Sequence, residues 1–202
     1  MLIVITPAAG RDLTTLPAVT AELGMEIGAQ HEAYLRSLIT HISRAIESWC
    51  GRSLACEGVR ETFHLTTPSA ALILARFPIA VIVSVTTEAG ALEPSLYEVD
   101  PGAGTLYRLT TSGARFAWSP GRVVVDYSAG FILPDAEGRG LPEDIERAAI
   151  LAVRNAFLTR GRDQTVRSED VEGIASSTYG LPSALPADVT DLLAPYRLPG
   201  FA

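Results

Sequence analysis

Residues 122–160 read RVVVDYSAGFILPDAEGRGLPEDIERAAILAVRNAFLTR. Two periods meet in this stretch. Arg122 to Tyr127 is a β-branched run with the character of a strand. From Phe131 to Gly140 the chain is a loop holding Pro134, Gly138 and Gly140. The period then becomes that of a helix: Ile145, Ala148, Ala149, Ala152, Val153, Ala156 and Phe157 lie on one face. Pro142 suits the first helical position, and Glu143 and Asp144 suit the positive helix end. The helix is expected to run to about Arg160, with Gly161 ending it. A strand followed by an amphipathic helix, with no strand–helix–strand unit of ~30 residues, predicts α+β and disfavours a Rossmann-type sheet.

Upstream, period two continues. Val59, Glu61, Phe63 and Leu65 alternate with Arg60, Thr62, His64 and Thr66. Ile79 to Thr87 is rich in Val and Thr, and Pro78 precedes it, where a strand can start. Leu96 to Asp100 and Thr105 to Leu109 flank Pro101–Gly104, a hairpin signal. Short turns between strands predict an antiparallel module over residues 55–132.

Before it come helices. Ala33, Leu35, Leu38, Ile39, Ile42, Ala45, Ile46 and Trp49 recur at spacings of three and four, which predicts a helix from Gln30 to Cys50. Gly51 is its stop, and only Gly28 is available as a weak cap. Thr14 to Leu23 is a shorter helix with Gly24 as its stop. The expected organisation is N-terminal helices in residues 1–54, the β module in 55–132, a third helix in 133–160 and a C-terminal arm in 161–202. The arm has no period up to Leu185. It then carries a short apolar segment of Val189, Leu192, Leu193, Tyr196, Leu198 and Phe201.

Composition bounds the function. The 202 residues are 48% hydrophobic, enough for a real core. No apolar run reaches the ~18 residues of a membrane span. The opening MLIVITPAAGRD lacks the basic region of a signal peptide, so a cytoplasmic origin is expected. The net charge is −7, which disfavours nonspecific DNA binding. All 16 basic residues are arginine. A GC-rich genome accounts for that simply; interfaces that need the guanidinium fork are the alternative.

Chemistry is sparse. Cys50 and Cys56 match no common zinc spacing and read as small buried hydrophobes. His31 and His41, ten residues apart on one helix, point about 280° around it and cannot share a metal. His64 falls on the wetter strand face. There is no G-x-S-x-G elbow, P-loop, H-E-x-x-H or calcium loop. Gly102 and Gly104 open a G-x-G, but Tyr107 occupies the third glycine position. Glu143/Asp144 read as helix-end charge and Glu169/Asp170 as part of the arm, not as acid–base pairs. No catalytic residue, cofactor or metal is expected.

The order of motifs carries more. The second helix ends YLRSLITHISRAIESWCGR; then come the strands, VVVDYSAGF, a proline, the helix LPEDIERAAILAV, and LLAPYR near the end. This order, over about residues 14–200, resembles the head–tail connector (adaptor) family of tailed phages and gene transfer agents. The family's acidic entry to the second helix is missing here. The resemblance implies a small helical bundle with an inserted antiparallel β module and an extended C-terminal arm. It also implies a non-enzymatic ring under the dodecameric portal protein, which extends the DNA channel and meets the next neck, stopper or tail protein. DNA is then only passing cargo, and no membrane is involved. Assembly is expected in the bacterial cytoplasm, with the finished part in the virion neck. The arm is implied to dock on the portal, through Leu192, Leu193, Tyr196, Arg197 and Phe201. Truncation after Leu185 is expected to leave the domain folded. The hairpin tip at Pro101–Gly104 is a weaker candidate contact. An acidic lumen would let DNA slide, whereas one lined by Arg36, Arg44 or Arg147 would grip it. The rivals are another neck part (a stopper or tail-completion protein), a helix-turn-helix regulator built from the first two helices, and a small-molecule domain with a closed polar pocket.

Overall fold

The computed structural model describes residues 1–24, 28–160, 168–171, 175–178 and 185–198. It is α+β, as the change of period requires, and divides into two units.

The first unit comprises Met1–Arg11 and Arg52–Leu141. Its strands are β1 (Leu2–Thr6), β2 (Glu57–Leu65), β3 (Leu72–Ile73), β4 (Ile79–Thr87), β5 (Gly90–Ala91), β6 (Tyr97–Asp100), β7 (Thr105–Leu109), β8 (Arg115–Phe116) and β9 (Gly121–Ala129). An antiparallel sheet has the order β1-β2-β9-β4-β5, and a smaller one has β3-β7-β6 with β8 on β7. Alternation places Val59, Val85, Val123, Val125 and Tyr127 on one face, where they pack with Leu72, Leu74, Leu106 and Trp118 of the second sheet and its flanks. The Trp118 indole N–H donates to the Leu106 carbonyl at 3.2 Å, so the ring is buried with its polar atom satisfied. Glu61 is buried on the same face. Its carboxylate accepts from the Tyr127 hydroxyl at 2.8 Å and the Ala75 N–H at 3.0 Å. Burial and this carboxylate push the Tyr127 hydroxyl far above the usual phenol range.

The opposite face of the larger sheet is polar. Ile3, Arg60, Asp126 and Ser84 form one cross-strand row. Arg60 grips Asp126 with two bonds of 2.7 and 2.8 Å, and Ser84 donates at 3.3 Å. The glycine of the YSAGF motif has a packing reason. Gly130 sits at φ +116°, and a Cβ there would lie 2.4 Å from the Ala55 carbonyl oxygen. Only glycine lets the chain cross Ala55 and bond Phe131 N–H to the Leu54 carbonyl at 2.7 Å.

The second unit comprises Asp12–Gly51 and Pro142–Ala202. Its helices are α1 (Leu16–Leu23), α2 (Ala29–Cys50), α3 (Glu143–Leu158) and α4 (Ala187–Leu193). Val19, Leu35, Ile39, Val153 and Phe157 form a shared core of α1, α2 and α3. The Thr15 hydroxyl caps α1 by accepting from Ala18 N–H at 3.4 Å. Gly24 and Gly51 end α1 and α2 in left-handed conformation, as their positions predict. Gly28 makes no side-chain cap at the start of α2.

Several expectations need correction. Residues 1–54 do not all belong to the bundle, because Met1–Arg11 lie in the β unit and β1 extends its sheet. The β-branched run LIVIT is a strand signal that the reading of the N-terminus left unused. The β unit also runs past residue 132 to Leu141. Pro142 is the extended residue before α3 (ψ 138°), not its first helical one, and α3 stops at Leu158. Thr159 closes its end, its N–H bonding the Asn155 carbonyl at 3.0 Å. In the arm, β10 (Ser168–Val171) and β11 (Ala175–Thr178) form an antiparallel hairpin where no period was visible.

Candidate assembly surfaces

The four described docking residues fall into three environments. Val189 and Leu193 are fully buried on one face of α4, which packs against α3. Leu193 is therefore spent on the fold of its own unit. Leu192 is half-buried. Tyr196 is also half-buried, its hydroxyl donating to Asp144 at 3.4 Å. Arg197 is exposed, with its guanidinium 5.1 Å from the centre of the Trp49 ring. Its neighbour Leu198 donates its N–H to the Cys50 carbonyl at 2.9 Å, which ties the segment to the end of α2. Phe201 lies outside the described residues. Residues 186–198 thus fold back on α3 and the end of α2 rather than standing free, because a short helix with two buried apolar side chains gains most by covering its neighbour.

The arginines named for the lumen are all paired. Arg36 meets Glu32 at 2.8 Å, Arg44 meets Glu47 at 3.5 Å and Arg147 meets Glu22 at 2.6 Å. The Arg147 hydrogen bond holds the Glu22 carboxyl below its usual range. A helix-turn-helix reading therefore finds the bases of α2 already matched by carboxylates on the same helix.

No chemistry-bearing cluster assembles among the described residues. Among the described residues no group of three or more His, Cys, Asp or Glu has the geometry to hold a metal. His31 is exposed, with its ring edge-on to Phe157 at 5.9 Å. His41 Nδ1 lies 2.7 Å from the Ser37 carbonyl, and His64 is exposed on β2. Cys50 and Cys56 are not joined in a disulfide; Cys50 is buried as expected, but Cys56 is only half-buried, and that burial and the Glu57 charge push its thiol up. A cavity of about 240 Å³, lined by residues including Arg108, Phe116, Trp118 and Arg122, is smaller than the roughly 300–1,000 Å³ of ligand pockets. No helix among the described residues is long and apolar enough to cross a membrane.

What the surface does offer is exposed apolar side chains. Ile3, Val4 and Ile5 of β1 are 47, 39 and 53% exposed, and Val81 and Val83 of β4 are 53 and 68% exposed. The hairpin tip presents Pro101, Gly102 and Ala103 to solvent. Sequence reasoning named the tip and the β4 strand but missed β1 and the exposed apolar side chains of both strands. Their signal was β-branched residues on both sides of the pleat, where one side should be polar.

The fold is α+β, and the described surface carries exposed apolar side chains on the sheet strands β1 and β4. The profile of the head completion protein family matches residues 12–198, so the chain belongs to that family. The role that family is named for is head completion, a structural one. Similar solved chains come from gene transfer agent particles. One, from the neck of an empty particle treated with sixfold symmetry, is 21% identical with a TM-score of 0.62. Another, from the neck of a native particle treated with twelvefold symmetry, is 22% identical with a TM-score of 0.55. Both alignments cover 100% of this chain and 97% of the other, so the whole fold is shared. No curated protein matches the sequence.

Proposed function

We propose that this chain forms a ring beneath the portal of a phage-like or gene transfer agent particle. The ring extends the DNA channel and joins the capsid to the next neck or tail protein. The supporting observation is the end-to-end likeness to chains from particle necks with sixfold and twelvefold symmetry. A dodecamer matching the portal is the expected copy number, with assembly in the bacterial cytoplasm. DNA passes through the ring as cargo, which suits a chain of net charge −7 whose α2 arginines are paired with carboxylates.

Portal docking is assigned to the surface around Leu192, Tyr196 and Arg197, with Phe201 beyond the described residues. Tyr and Arg are the residue types that dominate interface energies. Leu193 supports this surface from beneath. The deciding experiment is electron microscopy of the purified protein mixed with the portal ring from the same gene cluster. A second ring stacked on the portal is expected, and Arg197→Ala should weaken the stacking. A bare portal beside unbound protein would refute the adaptor reading and favour a later neck position.

A further inference from the structure

The larger sheet of the β unit ends on two open edges. β1 is first in the order β1-β2-β9-β4-β5, and among the described residues no strand pairs with its outer side. At the other end, β5 covers β4 only at Thr86 and Thr87. The Ile79 N–H is bonded to the Pro101 carbonyl and the Val85 carbonyl accepts from Leu92. Between these points residues 80–84 have no strand on their outer side among the described residues. Each open run is five residues long: LIVIT in β1 and AVIVS in β4. Neither contains a charge or a proline, the usual devices that keep a sheet edge from pairing. Bulges at Val4/Thr6, Ile79/Val81 and Ile82/Ser84 restrict any join to a few backbone bonds.

Strand direction is the independent check. β1 to β2, β2 to β9 and β9 to β4 are three antiparallel steps, so β1 and β4 run in opposite directions. A second copy displaced sideways in the same orientation therefore brings its β4 antiparallel to β1. The sheet continues across the junction without a change of pairing type. The join uses a different edge on each partner, so it repeats around a ring; β1 against β1 would stop at a dimer.

We infer that β1 of one copy pairs antiparallel with residues 80–84 of the next, making a continuous sheet from subunit to subunit. This rests on the ring reading above. The backbone phase names the perturbation. Met1 and Thr62 exchange both main-chain bonds at 2.8 Å, so alternation turns the N–H and C=O of Leu2 and Val4 outward. Val4→Pro removes an outward N–H while leaving the pairing with β2. Val83→Lys places a charge on the other edge.

Both variants and the unaltered chain are to be compared by light scattering and by electron microscopy on the portal ring, with circular dichroism to verify folding. The unaltered chain is expected to make rings and each variant to lose them. A one-to-one mixture of the variants should give a pair and nothing larger, because only one intact β1 edge and one intact β4 edge remain. Rings from either folded variant would overturn the join and leave the ring reading standing. No ring from the unaltered chain, alone or on the portal, would overturn both. If Val4→Pro unfolds, Ile3→Cys combined with Val83→Cys replaces it, with each single substitution as control. Oxidation of assembled rings should then give a covalent ladder in the double variant alone, and the absence of that ladder would sink the inference.

Discussion

Replacing Leu193 by alanine tests whether the C-terminal segment is part of the folded unit. Helix α4 has seven residues, too few to be stable alone. Val189 and Leu193, four apart and both fully buried, hold it against α3. Burying two such side chains is worth about 3–6 kcal/mol in total. Leu193→Ala removes most of one and leaves a cavity, so the expected loss is about 2–5 kcal/mol. Domains are stable by only about 5–15 kcal/mol, so the bundle unit should be visibly weakened. Truncation after Leu185 should cost more still, contrary to the expectation from sequence that the domain would stay folded. The assay is urea unfolding followed by far-UV circular dichroism, because all four described α-helices belong to this unit. Leu192→Ala, at a half-buried position, is the control and should cost less. A loss for Leu193→Ala within about 0.5 kcal/mol, the range of ordinary surface substitutions, would refute the argument. Helix α4 would then contribute nothing to the fold, and Leu193 would return to the docking surface.

Two further predictions concern the β unit. Gly130→Ala should lower its melting temperature sharply or prevent soluble expression, since the added Cβ meets the Ala55 backbone at 2.4 Å; an unchanged melting temperature would exclude that crossing. Asp126→Asn should cost about 1 kcal/mol at neutral pH, the upper end for surface pairs, because Arg60 is half-exposed and Asp126 is mostly covered. The Arg60 hydrogen bonds hold the Asp126 carboxyl below its usual value, so its contribution is complete above the unfolded-state pKa and fades as pH falls through the lowered folded one. The wild-type and variant stability curves should therefore converge in acid, and a constant gap down to the lowest measurable pH would contradict this.

Much of the fold was legible because local periodicity reports which residues share a face. In α2 and α3 the three-and-four spacing marked Leu35, Ile39, Val153 and Phe157, and these form the shared core. In β2 the alternation from Val59 to Leu65 placed Arg60 and His64 outward, where they lie. The hairpin at Pro101–Gly104 was visible from its turn residues. The assembly surfaces were harder to see. Leu192 and Leu193 are adjacent leucines, and nothing in their order says that one is sealed and the other only half-covered.

Taken alone, the sequence determined the α+β class, the helix stops at Gly24 and Gly51, the alternating strands and the lack of a recognisable catalytic motif. Those properties depend on neighbours within a few residues: period, caps and turn chemistry. Tertiary structure decided that β1 joins β2, some sixty residues away, and that α4 returns to α3 across the intervening arm. It also decided that, among the described residues, both ends of one sheet remain open. Period tells which face seeks cover but not which segment covers it, and an open edge exists only once every other strand has found its partner.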